Sequence, residues 1–194
     1  MDFKDAYGAI SVAIGIFGIL PYIFTYIKGQ TKPHAFTWLS WSLLSLTQFV
    51  TMHETEAGAG AWVFFITIFT YLGIGVTALK WGDRSRTRGD YAALAISVCA
   101  ALILFFVEDY LTALLVAFVG DAFGFMPTIR KSWRKPHEEN SLAYWFGALM
   151  YVFSFMALTD YTFLTTFAPV SLVLLNMAAA SCILLRRSIL TKRD

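Results

Sequence analysis

Phe17-Gly18-Ile19-Leu20-Pro21 closes the first apolar run of the chain, and Phe123-Gly124-Phe125-Met126-Pro127 closes the fifth. Each is followed by a short basic connection, Lys32-Pro33-His34 in one place and Lys135-Pro136-His137 in the other. Each connection leads into an apolar run bearing tryptophan: Trp38 and Trp41 after the first, Trp145 after the second. A pattern that recurs with its neighbours in the same order is the mark of an internal duplication, and such duplications are common in membrane transporters.

Composition sets the class. Of the 194 residues, 58% are hydrophobic and 14% charged, against soluble averages of about 45–50% and about 25%. A helix needs about 20 apolar residues to cross a hydrocarbon core, and apolar runs near 7–28, 35–53, 58–80, 91–107, 110–130, 141–158 and 162–185 fill most of the chain. The expected fold is therefore all-α and integral to a membrane, with seven transmembrane helices. The first run follows Asp2 and Asp5 rather than a basic segment and is too long for a signal-peptide core, so it reads as a retained helix. Cys99 and Cys182 lie singly in different runs with no metal-ligand spacing, which implies no metal site.

Placing the connections alternately on two sides puts Lys28, Lys32, Lys80, Arg84, Arg86, Arg88, Arg130, Lys131, Arg134, Lys135, Arg186, Arg187, Lys192 and Arg193 on one side, and leaves Lys4 on the other. Basic residues collect on the cytoplasmic side, so the N-terminus is expected outside and the C-terminus inside, as in a multi-pass protein of a bacterial-type inner membrane. Because these charges are spread over separate juxtamembrane segments, they suit lipid headgroups and exclude a nucleic-acid partner.

The first copy occupies the first three runs and the second copy the last three. A three-helix unit that starts outside ends inside, so a second copy in the same orientation needs one extra crossing. The run near 91–107 supplies it. The organisation is 3+1+3: residues 1–83 form the first repeat, 84–108 a linker helix, and 109–194 the second repeat with a basic tail. This layout resembles the SWEET and PQ-loop transporter superfamily, and is similar to the nicotinamide-riboside transporters that share it. The resemblance rests on Pro21 and Pro127 near the cytoplasmic end of each copy's first helix, each followed by a basic loop. Tyr22 and Thr128 stand where the PQ motif has glutamine. The resemblance implies a small-molecule solute moved between two three-helix bundles, and an asparagine of a third repeat helix lining the pocket.

Several residues then become candidates. Pro21 and Pro127 each remove a helical hydrogen bond about 10 Å from the cytoplasmic end, so they are expected hinges, with Gly18 and Gly124 allowing close helix approach. Asp121 is the one acidic residue inside an apolar run. It lies roughly 16 and 13 Å from the two ends of its helix, where an ionised group costs several kcal/mol unless paired or hydrated. Substrate binding or proton coupling is the expected role. Asn176 reaches a similar depth. Trp38, Trp41 and Gln48 share one side of the second helix. Trp38 is expected in the interfacial belt, while Trp41, its second-copy counterpart Trp145, and Gln48 are candidate substrate contacts. Aligning the copies sets Gly15 opposite Asp121 and Thr70 opposite Asn176. The strong polar groups thus belong to the second copy.

These features predict a small-solute transporter working by alternating access, coupled to protons or selective for a cationic or amide-bearing solute. The competing expectation is a receptor or scaffold protein that keeps the fold without moving solute. No lysine in 162–185 supports a retinal reading, and no serine–histidine pair, histidine cluster or second carboxylate near Asp121 supports an enzyme or a cofactor site.

Overall fold

The computed structural model describes residues 2–83, 87–134 and 136–191. Among these the apolar runs form seven α-helices: α1 (Phe3–Ile27), α2 (Ala35–Glu54), α3 (Trp62–Trp81), α4 (Arg88–Leu102), α5 (Tyr110–Arg134), α6 (Ser141–Met156) and α7 (Phe163–Thr191). Tight 3-10 turns at Gly58–Ala61 and Pro136–Glu138 precede α3 and α6, and a wider π-helical turn, Ile103–Val107, extends α4. Of the basic residues named above, Arg84, Arg86, Lys135, Lys192 and Arg193 lie outside the described residues, as do the side chains of Lys131 and Pro127.

Among the described residues five helical stretches are long and apolar enough to cross a membrane: α1, α3 with its preceding turn, α4 with its π turn, α5 and α7. Helix α6 has only 16 residues. Helix α2 falls short in apolarity because Ser40, Ser42, Ser45, Thr47, Gln48 and Thr51 are all buried in it. It is the internal helix of the bundle, packed against α3, α4, α5 and α7, and its polar groups meet protein rather than surroundings. The outer surface shows the reverse chemistry: Phe17, Phe69 and Leu174 are 68%, 58% and 63% exposed. Apolar outside and polar inside is the distribution of a membrane-embedded protein.

Helix α3 packs between α1 and α2, and α7 between α5 and α6. Helix α1 lies against α6, α2 against α5, and α4 covers α2 and α5. Helices α5 and α7 run past the apolar segments to Arg134 and Thr191. At 25 and 29 residues they are longer than a hydrocarbon core of about 30 Å requires, and their ends are held by polar contacts. Arg186 Nε donates to Trp133 O at 2.8 Å and Arg187 Nε to Pro136 O at 3.0 Å.

The helices are continuous through their prolines. Helix α1 continues through Pro21, α5 through position 127, and α7 through Pro169. Pro169 was not singled out in the sequence. What each proline removes is one amide donor within a continuous helix. Helix starts are secured conventionally: Thr87 N donates to Asp90 Oδ2 at 2.6 Å at the start of α4, and Thr112 N donates to Asp109 Oδ1 at 3.1 Å at the start of α5. The Thr112 hydroxyl and amide hold the Asp109 carboxyl below the usual carboxylate range, so this cap is present at neutral pH and is lost as pH falls through that lowered value.

The end of the bundle opposite the Lys-Pro-His loops is closed by contacts of α1 and the α2–α3 connection with α6 and the segment that follows it. Thr159 N donates to Ala57 O at 3.1 Å, Ser154 Oγ to Gly60 O at 2.6 Å, Ser11 Oγ to Met150 O at 2.6 Å, and Lys4 Nζ to Thr159 O at 2.9 Å. Beneath them Met52, Phe64, Leu114 and Leu158 form a buried cluster. The chain approaches this closely because Gly60 has no side chain: a Cβ there would stand 2.5 Å from Leu158 Cδ2 and 2.9 Å from Ser154 O. Gly60→Ala is therefore expected to lower stability by about 1–3 kcal/mol, measured as thermal unfolding in detergent. Gly73→Ala, whose Cβ would meet nothing within 4 Å, should leave it unchanged or slightly raised.

Candidate functional site

A cavity of about 320 Å³ runs up the middle of the bundle. Six helices line it with stripes of helical period. Helix α1 contributes Gly15, Gly18 and Tyr22; α2 contributes Trp38, Trp41, Ser45 and Gln48; α3 contributes Thr67, Thr70 and Tyr71. From the other half come Asp121 and Phe125 of α5, Tyr144 and Tyr151 of α6, and Asn176 of α7. Helix α4 supplies no lining residue. At one end the lining includes Gln30, Thr31, His137, Glu139 and Asn140, so the cavity reaches the loops that follow α1 and α5. At the other end it stops at Val63, Met150 and Leu172, which belong to the sealing cluster.

Asp121 and Gln48 are both buried, at 4% and 2% exposure. Gln48 Nε2 donates to Asp121 Oδ2 at 2.6 Å, a short bond that joins α2 of one half to α5 of the other. A glutamine amide carries a donor and an acceptor, so it can partner this carboxyl with or without its proton. Tyr71 and Tyr151 lie close enough to feel the Asp121 charge. Among the described residues no lysine or arginine lines the cavity, and no three His, Cys, Asp or Glu side chains converge as a metal site would require.

Asn176 Nδ2 donates to Leu172 O on its own helix at 2.8 Å, and its Oδ1 lies against Gly147 of α6. Trp41 packs edge-on against Trp38 with ring centres 5.4 Å apart, and against Phe125 at 5.3 Å. Its indole nitrogen abuts α5 at Gly124, while the Phe146 ring of α6 abuts α1 at Gly18. Each glycine of the recurring Phe-Gly-x-x-Pro pattern thus receives an aromatic side chain from another helix, Gly18 of α1 from α6 and Gly124 of α5 from α2.

Of the sequence-level candidates, Asp121, Asn176, Trp41 and Gln48 share this cavity, with Gly18 on its wall. Trp145 does not line it. That residue is 39% exposed, and its neighbours Tyr144 and Phe146 face the cavity instead. Trp38 corrects an expectation in the opposite sense. It is buried rather than interfacial, packed against a tilted Tyr22 at 5.0 Å and edge-on to Tyr71 at 5.3 Å. Sequence reading also missed Tyr22, Ser45, Tyr71, Phe125, Tyr144 and Tyr151. A signal existed in α2, where positions 38, 41, 45 and 48 keep the period of one helix face.

Comparisons of the chain with protein-family models, curated proteins and solved structures find no match.

The Gln48–Asp121 bond gives a direct test of the site's energetics. In a double-mutant cycle of Gln48→Leu and Asp121→Leu, thermal unfolding in detergent is expected to return a coupling of about 1–2 kcal/mol. Each single change should cost more than its share, because it strands a buried polar partner.

Proposed function

We propose that the chain is a small-solute transporter of the inner membrane, working by alternating access, with solute held near Asp121. One observation carries this reading: a cavity between the two halves holds a buried intramembrane carboxylate, reaches the loops at one end and is closed at the other. An intramembrane ionisable residue facing a cavity is a usual sign of a substrate or proton pathway.

The packing supports the 3+1+3 organisation within this proposal. Exchanging α1, α2 and α3 for α5, α6 and α7 turns the α1–α3 contact into α5–α7, α2–α3 into α6–α7, and α1–α6 into α2–α5. Helix α4 is left over, as a linker helix would be. Register agrees as well, since Gly15 and Asp121 line the same cavity, as do Thr70 and Asn176. These are features of a parallel duplication such as the SWEET-like one, with its pseudo-twofold axis along the membrane normal. In the proposed orientation the basic loops are cytoplasmic and the described state opens inward. The contacts of residues 57–61 with 154–159 then form the outer seal, and flexing at Pro21, Pro127 and Pro169 lets the halves rock.

Reconstituted in liposomes, the protein should accumulate a solute drawn from a panel of amines, sugars, nucleosides and vitamins. Asp121→Asn is expected to abolish either that flux or its dependence on pH. Flux that survives the substitution unchanged at every pH removes Asp121 from the centre of the mechanism. Binding across the panel without flux identifies a receptor instead.

A further inference from the structure

The cavity's lining carries one deeply buried carboxyl, Asp121, with no lysine or arginine among the described lining residues. Yet it opens at an end rich in basic residues: Lys28 and Lys32 after α1, Arg134 at the end of α5, and Arg187 of α7, which donates to the carbonyls of Pro136 and Glu139. The cavity therefore differs in sign from the end of the protein that surrounds it, and a bound anion would meet buried carboxylate without a counter-charge.

A large part of the uncharged wall is aromatic. Tyr22, Trp38, Trp41, Tyr71, Phe125 and Tyr144 form a connected set, each ring centre within 6.3 Å of the next. Aromatic faces attract cations and apolar bodies alike. Asp121 has no basic partner among the described residues to neutralise it. The Gln48 amide donates to its Oδ2 but carries no charge to balance it.

We propose that the cavity binds a singly charged organic cation with an aromatic or apolar body, seated on Asp121, and that this cation and a proton compete for the same carboxyl. The inference rests on the transporter reading for its biological sense, but binding can be tested without it. When the cation arrives, the carboxyl O–H bond breaks and the proton leaves through the loop end of the cavity. Gln48 rotates its amide between accepting from the acid and donating to the carboxylate. The other titratable groups facing this region are Tyr71 of α3 and Tyr151 of α6 beside Asp121, Tyr22 of α1 and Tyr144 of α6 further along, and His137 and Glu139 at the mouth. None of these lies on α2, α5 or α7, where Gln48, Asp121 and Asn176 stand.

The test is calorimetric titration of the full chain in detergent with benzyltrimethylammonium, benzyl alcohol and benzenesulfonate, run between pH 5 and 9 in buffers of differing ionisation heat. The cation alone should bind, up to about tenfold more tightly per unit of rising pH while the carboxyl is protonated, with release of one proton per cation. Asp121→Asn should weaken it at least tenfold and remove the pH dependence, while Asp121→Glu restores both in part. Thermal unfolding of each variant separates lost binding from lost fold; if Asp121→Asn is unfolded, Trp41→Leu should weaken the cation several-fold and keep the proton release. Equal binding of the alcohol or sulfonate, cation binding indifferent to pH, or no cation binding at any pH overturns the proposal. Cation binding without liposome flux upholds it and overturns transport; flux of neutral solutes with no cation binding does the opposite.

Discussion

A carboxyl group in the middle of a membrane-crossing helix has no water to turn to unless the protein brings it, and much of this bundle is arranged around that constraint. Asp121 receives its hydrogen bond from Gln48, on the helix with the most buried polar residues. Helix α2 can carry Ser40, Thr47, Gln48 and Thr51 because four neighbouring helices enclose it. Its low apolarity is then a consequence of position. The exposed phenylalanines and leucines of α1, α3 and α7 are the other side of the same requirement, since hydrocarbon accepts them without cost.

Close approach between the halves depends on absent side chains. Gly18 admits Phe146 and Gly124 admits Trp41, while Gly60 admits Leu158. Two of these contacts flank the cavity and the third seals its end. With no water-driven hydrophobic effect between helices in a bilayer, such van der Waals fit and a few interhelical hydrogen bonds supply most of the association. In the proposed transport cycle the seal must open. Its hydrogen bonds run largely to backbone carbonyls, at Ala57, Gly60, Met150 and Thr159, groups that water can satisfy equally well once the halves part.

Much of this was legible in the sequence. Apolar length marked the helices, since long unbroken apolar runs can satisfy their backbone groups within one segment only as helices, and the lone intramembrane acid and asparagine pointed to the cavity. What could not be read was rotation about the helix axis. Trp145 and Tyr144 are adjacent, and only packing decides that the tyrosine faces inward; the tryptophan position was carried from Trp41 by motif spacing, whereas the contact with the repeated glycine is made by Phe146. Trp38 misled for a related reason. Its place near a helix end suggested an interfacial residue, but the loop at 28–34 folds over toward α3 and α4, with Asp83 N bonded to Pro33 O at 2.9 Å and His34 Nε2 3.6 Å from Asp90. Pro169 escaped notice because it has no partner in the first copy.

If the cavity around Asp121 reaches the loops at the basic end and stops at the sealing cluster, water should enter it from the basic end alone. Thr70 lines it, and its hydroxyl bonds only to Ile66 O of its own helix, so Thr70→Cys in a background lacking Cys99 and Cys182 is a mild probe. A membrane-impermeant methanethiosulfonate applied to oriented vesicles should label this cysteine from the side bearing the basic loops and leave it unlabelled from the other. Labelling from the opposite side, alone or together with the basic side, or from neither side, would overturn the account.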